Sequence, residues 1–198
     1  MLRYYLCVIF GAMAVIASVN IFAWQMNPLT AAGLVAAYTL GVIAVDAVVA
    51  VIVRKLPERL YDPFKKRYNV GKRERRFLDC LKIKKWKDKI PESGKALIGF
   101  DKKKIADPGN NEYVLKFMKE TCYAEVMHFY SVFLGGLIIL ACPPALMLRI
   151  PLPVACVNAV LQILPVMVQR YNRTRLEILY RRNLKHAGSA KKGEEAAA

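Results

Sequence analysis

Four long runs of uncharged, apolar residues constrain this chain more than any other feature of its sequence. They cover residues 4–26, 29–53, 129–148 and 152–168, and Asp46 is the only formally charged residue inside any of them. A helix needs about 20 apolar residues to cross a bilayer core, so the first three runs can span it and the fourth is at the short limit. We therefore predict an all-α integral membrane protein with four transmembrane helices.

The charged residues lie between and after these runs, and they predict the orientation. The chain has 31 Lys and Arg against 15 Asp and Glu. Most of the excess falls between the second and third runs and after the fourth. Because positive charge near the end of a span resists translocation, this loop, the tail and hence both termini should be cytoplasmic in a multi-pass protein. Such a charge also occurs in nucleic-acid-binding proteins, but the apolar runs favour anionic membrane lipids as partners, and no nucleic acid.

The same pattern divides the chain into four segments. In chain order they are a transmembrane hairpin at 1–53 (helices 4–26 and 29–53), a basic cytoplasmic or interfacial, partly helical segment at 54–123, a second hairpin at 124–176 (helices 124–148 and 152–170), and a basic, then low-complexity tail at 177–198. Within the basic segment, Leu56, Leu60 and Phe64 recur at helical spacing. This spacing predicts an interfacial helix over residues 56–68.

Glu125 and His128 are candidate catalytic residues at the start of the third apolar run. On a helix, residues three apart point from one face. A carboxylate beside a histidine can fix the tautomer of the imidazole and prepare it to activate a hydroxyl group for attack. The alternative is that both are polar residues of an interfacial helix start without a chemical role.

Two further polar positions lie inside the apolar runs. Asp46 is in the second run, and Asn158 is in the fourth, one helical turn before Gln162. Acidic residues in a membrane normally face the bundle interior and find a partner. We expect Asp46 to pair with an arginine or with Asn158, and a role in the substrate site is the alternative.

Two polar groups flank the apolar runs on the predicted cytoplasmic side. The first is a cluster of lysines around a tryptophan, which includes Lys85, Trp86, Lys87 and Lys89. It can bind anionic lipid at the interface, or the phosphates of a donor such as acyl-CoA. The second closes the fourth run with Gln169, Arg170, Asn172 and Arg173. Hydrogen-bonding side chains of this type suit a polyol or phosphate headgroup.

The cysteines and histidines give no sign of a metal site. The five cysteines and two histidines are scattered along the chain without the spacing of metal ligands. Structural zinc sites draw on clustered Cys and His. We therefore predict no metal and no bound cofactor.

The segments 84–91, 120–128 and 165–176 together resemble the three characteristic blocks of the glycosyl-4,4'-diaponeurosporenoate acyltransferase family. The last block contains Gln169-Arg170-Tyr171-Asn172-Arg173, the most specific of the matches. The resemblance implies transfer of a fatty acyl group to a sugar hydroxyl of a glycosylated carotenoid acid in the bacterial cytoplasmic membrane.

On this basis we expect a membrane acyltransferase that acts on a glycosylated lipid or carotenoid-like acceptor. His128 would be the general base and Glu125 would orient it, while an acyl-CoA or an acyl lipid would be the donor. Two alternatives stay open, a non-catalytic lipid-binding or partner protein and a membrane methyltransferase. The sequence leaves the donor, the acceptor and the oligomeric state open.

Overall fold

A computed structural model describes residues 2–90 and 105–197 of the chain, and these residues form helices and turns without a β-strand. Seven α-helices are present in this part of the chain. In order they are α1 (Leu2–Phe22), α2 (Pro28–Lys55), α3 (Lys72–Cys80), α4 (Ile83–Trp86), α5 (Asn111–Gly136), α6 (Pro144–Met147) and α7 (Pro151–Ala197). Short 3₁₀ helices occupy Glu58–Tyr61, Lys66–Tyr68, Lys87–Lys89 and Leu137–Ala141.

Four of these elements are long and apolar enough to cross a bilayer. They lie at Tyr5–Phe22, Pro28–Lys55, Asn111–Ala141 and Pro151–Ser189. Each contains one of the four apolar runs or most of it. The prediction of an all-α membrane protein with four spanning helices is confirmed.

The boundaries of the spanning helices follow from local chemistry. The Asn27 side chain caps α2 by accepting hydrogen bonds from the Leu29 and Thr30 amides, at 3.0 and 3.3 Å, and Pro28 occupies the first turn, where its missing N–H costs nothing. The same helix ends at Leu56, which is extended because Pro57 follows it. Asn110 caps α5 in the same way through the amides of Glu112 and Tyr113.

The helix expected over residues 56–68 is not formed, and this prediction was wrong. The segment contains two 3₁₀ helices separated by a turn, with an extended Asp62 at the end of the first. Pro63 lacks an amide hydrogen and disfavours the helical conformation of Asp62. The Asp62 side chain instead accepts a hydrogen bond from the Phe64 amide at 3.0 Å. The sequence Pro91-Glu92-Ser93-Gly94, which is typical of a turn, lies outside the described residues.

The described residues divide into two compact units. The membrane unit contains residues 2–56, 89–90 and 125–166, and the basic unit contains residues 57–88, 105–124 and 167–197. The helices α5 and α7 each contribute residues to both units. The membrane unit is built on an apolar core around Val35, Val42, Ile150 and Val154.

The membrane unit is tied together at the ends of its helices that are predicted to face outward. Asn20 is completely buried, and its side-chain amide donates to the carbonyl oxygens of Ile16 and Arg149, at 2.8 and 2.9 Å. The guanidinium carbon of Arg149 lies 4.1 Å from the ring centroid of Trp24. The two short connections therefore contact each other through polar and cation–π interactions.

The basic unit has its own core, where Val114, Phe117 and Met118 of α5 pack on Leu176 of α7. Tyr61 and Tyr123 add a stacked pair with ring centroids 3.7 Å apart. The first 3₁₀ helix is thereby packed on α5. The basic segment is thus a folded part of the protein.

Candidate functional site

A chain of polar side chains crosses the interior of the membrane unit. His128 Nδ1 lies 2.6 Å from Gln162 Oε1. The Gln162 amide nitrogen donates to Asp46 Oδ2 at 2.5 Å and to Asn158 Oδ1 at 3.3 Å. Asn158 Nδ2 donates to the backbone carbonyl of Ser131 at 3.4 Å. We call His128, Gln162, Asp46 and Asn158 the polar network.

The direction of these hydrogen bonds fixes the tautomer of His128. A backbone carbonyl can only accept, so Asn158 must point its amide nitrogen at Ser131 and its oxygen at Gln162. Gln162 must then point its nitrogen at Asn158 and its oxygen at His128. An amide oxygen only accepts, and Nδ1 of His128 therefore carries the hydrogen. In the neutral imidazole this leaves the lone pair on Nε2.

The network also explains how polar groups are accommodated in the membrane unit. Asn158 and Gln162 are each 8% exposed, and they are one turn apart on α7. Polar side chains in a membrane interior have to form hydrogen bonds with other protein groups, because lipid tails offer no hydrogen-bond partners. Gly135 makes this packing possible, since a Cβ atom there would lie 2.5 Å from Asn158 Nδ2.

The structure thus joins three residues that the sequence singled out, His128, Asp46 and Asn158, through one that it did not assign to the site, Gln162. Asp46 accepts a hydrogen bond from the Gln162 amide and is linked to Asn158 through Gln162, while its Oδ1 has no hydrogen-bond partner among the described residues. Glu125 lies one turn before His128 on α5 and is half-buried. Gln162 supplies the contact to Nδ1, and the orienting role of Glu125 stays a prediction.

In the basic unit, Arg170 is held by other protein groups. Its guanidinium forms a two-pronged ion pair with Glu74 through Nε and Nη2, the latter at 2.8 Å. Its Nη2 and Nη1 also donate to the carbonyls of Asn69 and Arg67, at 3.2 and 3.4 Å. Bidentate pairs of this kind are geometrically specific. Arg170 therefore fastens α3 and the segment before it to α7.

Arg173 is also turned into the protein. It is 2% exposed, its Nη1 lies 3.0 Å from Cys122 Sγ, and its guanidinium carbon lies 5.0 Å from the ring centroid of Tyr68. A guanidinium over a tyrosine ring is attracted by the negative face of the ring. These contacts give Arg173 a place in the core of the basic unit.

Two other predicted headgroup residues, Gln169 and Asn172, are buried in the same unit, at 5% and 8% exposure. Gln169 Oε1 has no hydrogen-bond partner among the described residues. Lys87 Nζ lies 3.4 Å from Asn172 Oδ1 and 3.7 Å from Asp88 Oδ1. Lys87 and Asn172 are therefore neighbours.

The remaining members of the lysine cluster are on the surface. Lys85 and Lys89 are exposed, and Trp86 is half-buried with its indole nitrogen donating to the Leu81 carbonyl at 2.9 Å. Lys82 has a left-handed backbone with φ of 51°, and it lies between α3 and α4 as the residue that precedes α4. Lys85 thus lies on α4, and Lys87 and Lys89 lie on the 3₁₀ helix that follows it.

Comparison with known proteins identifies the family to which the chain belongs. The family model of glycosyl-4,4'-diaponeurosporenoate acyltransferase matches residues 57–182, well over half of the chain. This range includes His128, Asn158 and Gln162 but not Asp46. Neither a curated protein nor a solved structure matches the chain. With four spanning helices and this match, the chain is a membrane protein that belongs to the glycosyl-4,4'-diaponeurosporenoate acyltransferase family, a family of acyltransferases of carotenoid biosynthesis.

Proposed function

We propose that this protein transfers a fatty acyl group to a hydroxyl of a glycosylated lipid or carotenoid-like acceptor, with His128 as the general base. The observation that carries the proposal is the hydrogen-bond chain from the Ser131 carbonyl to His128 Nδ1. It leaves the Nε2 lone pair of the neutral imidazole as the proton acceptor. A base held in one tautomer and orientation is what attack by a hydroxyl group requires.

The reaction with a thioester donor proceeds in two steps. Nε2 of His128 takes the proton of the acceptor hydroxyl as its oxygen attacks the donor carbonyl carbon, which gives a tetrahedral intermediate and an imidazolium. The intermediate then expels the thiolate, which takes the proton back from Nε2. One C–O bond forms, one C–S bond breaks, and the products are an ester and a free thiol. An acyl lipid would instead release an alcohol.

We assign the other predicted residues different roles according to their surroundings. Gln162 is a positioning residue for His128, and Asp46 and Asn158 position Gln162. Lys85, Trp86, Lys87 and Lys89 hold the anionic part of the donor at the membrane surface. Gln169 and Asn172 bind the acceptor headgroup. The headgroup role of Arg170 and Arg173 stays a prediction, and the ion pair of Arg170 and the burial of Arg173 support a structural role beside it.

The location follows the charge pattern. We propose that the protein lies in the bacterial cytoplasmic membrane with both termini in the cytoplasm, because its basic segment and tail would resist translocation. Acyl-CoA would then reach the protein from the cytoplasm, and the acceptor from the lipid phase. Holding both substrates at one surface lowers the entropic cost of the reaction.

The test uses the two histidines of the chain. The purified protein in lipid nanodiscs is given a radiolabelled acyl-CoA and a glycosylated hydroxyl acceptor, and ester formation is measured. His128→Gln should lower kcat by about 10²–10⁴-fold, the usual contribution of a general base. His186→Gln is the matched control, because His186 is exposed on the terminal part of α7. Unchanged turnover of the His128 variant would reject the assignment.

A second variant tests the positioning role of Gln162. Gln162→Leu keeps the approximate volume but removes the acceptor for the Nδ1 hydrogen. We expect kcat to fall by about 10–100-fold with KM nearly unchanged, as happens when a partner that orients a histidine is lost. The double variant with Gln162→Leu and His128→Gln should have nearly the same kcat as His128→Gln alone, because the two residues act as one unit. Additive losses would contradict the positioning role.

A further inference from the structure

An open apolar groove runs along α1 in the membrane unit, where this helix lies beside α2 and α7. It has about 400 Å³ of empty space when the space on its open side is included. Nine of its eleven lining residues are apolar, and the two polar ones are Thr39 and Asn158. Such a surface is suited to an alkyl chain and offers very little to a polar ligand.

One end of the groove adjoins the polar network. Asn158 lines the groove and is itself a member of the network, through its hydrogen bond with Gln162. Leu161 lines it next to Gln162, and Ile43 lines it three residues before Asp46. The groove therefore leads directly from the residues that hold His128.

The groove extends away from the network toward the opposite ends of the helices. Along α1 it is lined from Ile9 to Ile16, which is about 10 Å of helix at 1.5 Å per residue. The Ile9 end lies nearer the N-terminus of α1, and the Ile16 end lies nearer the short connection to α2. A chain whose reacting end is at the network would thus point toward that connection.

We propose that this groove holds the fatty acyl chain of the donor, with the reacting carbonyl at the His128 end, an inference that rests on the proposed acyl transfer. Moving an alkyl chain from lipid into an apolar groove gains little free energy, because lipid tails are as apolar as the side chains. The groove would therefore position the acyl chain of the donor and would add little to its binding affinity. Its length would select among donors by the length of their chains.

The test narrows the groove at its two ends. Ile16→Trp fills the far end, and Ile9→Trp fills the end near the network. The purified variants in nanodiscs are given octanoyl-, lauroyl- and stearoyl-CoA in separate reactions, and ester formation is compared. Ile16→Trp should shift the stearoyl-to-octanoyl ratio of kcat/KM by at least about tenfold toward the short donor. Ile9→Trp should slow all three donors.

Neighbouring positions on the same helix provide matched controls. Phe10 and Val15 are 62% and 63% exposed and lie beside Ile9 and Ile16 in sequence. Phe10→Trp and Val15→Trp should keep the wild-type preference for chain length. If Ile16→Trp does not give a folded protein, Ile16→Phe makes the same test with a smaller side chain.

The possible failures are distinguishable. If His128→Gln abolishes transfer but Ile16→Trp leaves the chain-length profile unchanged, the groove proposal is overturned and the proposed function stands. A variant at Ile16 that changes the oligomeric state in native mass spectrometry, without a shift in chain length, would also overturn it in favour of a contact between copies. Absence of ester formation by the wild-type protein would instead reject the proposed function, and full transfer by His128→Gln would reject only the role of His128 as the base.

Discussion

Gly135 lies against the amide of Asn158, the residue through which the network reaches the Ser131 carbonyl. An added Cβ would be 2.5 Å from Asn158 Nδ2, too close for any contact without movement. Gly135→Ala should therefore displace Asn158 and loosen its bonds to Gln162 and Ser131. We expect a loss of about 1–3 kcal/mol of stability, typical of an overpacked core, together with reduced transfer. Thermal unfolding and ester formation measure the two effects.

The next residue supplies the control. A Cβ added at Gly136 has nothing within 4 Å. Gly136→Ala should be neutral, or stabilise by up to about 1 kcal/mol because alanine favours a helix more than glycine does. Equal behaviour of the two variants would show that the close approach to Asn158 has no energetic consequence.

The residues of the candidate site could be predicted only in part. Polarity within an apolar run identified Asp46, and spacing along one helix joined Glu125 to His128. The contact between His128 and Gln162 joins residues 34 positions apart in sequence, and no local pattern encodes it. Gln162 stood out only as a polar residue one turn from Asn158. Spacing along one helix can indicate only local neighbours such as Glu125, and it gives no sign of the contact with Gln162.

At the scale of elements, the pair between Arg170 and Glu74 fastens α3 to α7. The two side chains are 18% and 32% exposed, so removal of one charge leaves the other poorly solvated. Arg170→Ala should destabilise the protein by about 1–3 kcal/mol, below the cost for a fully buried pair. Arg170→Lys should restore little, because a lysine cannot reproduce the planar fork. Thermal unfolding in nanodiscs measures both.

An ion pair further along α7 gives the comparison. Arg181 and Glu177 are one turn apart with 2.8 Å between Nη2 and Oε1, but the arginine is 66% exposed. Arg181→Ala should cost no more than about 0.5 kcal/mol, as is usual for exposed pairs at this spacing. Similar losses for Arg170→Ala and Arg181→Ala would contradict the fastening role.

The elements themselves were predicted well where hydropathy is strong and poorly where it is not. The four apolar runs specify spanning helices because lipid leaves the backbone no other partner. The spacing of Leu56, Leu60 and Phe64 favours a helix, yet Pro63 interrupts it, and the resulting turns are held by tertiary contacts such as the stacking of Tyr61 on Tyr123. The spacing of apolar residues in the sequence cannot reveal such contacts.

At the scale of the whole molecule, the orientation in the membrane is open to a direct test. Cys80 is exposed at the end of α3 in the basic unit, and Gln25 is exposed in the connection between α1 and α2. If positive charge sets the orientation, a membrane-impermeant maleimide should label Cys80 only after the cells are permeabilised. Labelled peptides are identified by mass spectrometry, which avoids removal of the other cysteines.

The reverse result is expected at the short connection. Gln25→Cys should be labelled in intact cells, and the exchange should be tolerated because Gln25 already adopts a positive φ of 51° with a side chain. Labelling of Cys80 in intact cells, or of Gln25→Cys only after permeabilisation, would invert the proposed orientation.

The family and the number of spans could be predicted for the molecule as a whole, but the division into two units and the groove could not. The family resemblance rested on short blocks of polar residues, and the matched range begins only at residue 57. The groove is formed by α1, α2 and α7. Its lining residues are ordinary apolar residues of spanning helices, and only three-dimensional packing distinguishes them from residues that face lipid.

The buried side chain of Asn20, bonded to the Arg149 carbonyl, closes the membrane unit at one end of its helices. The ester product of the proposed reaction would contain both apolar substrates in one molecule and would need a wide exit. We expect that exit to open sideways between helices, near the opposite end, because parting the closed end would strand buried amide groups in hydrocarbon. Release of product, more than the chemical step, would then respond to the thickness and fluidity of the surrounding bilayer.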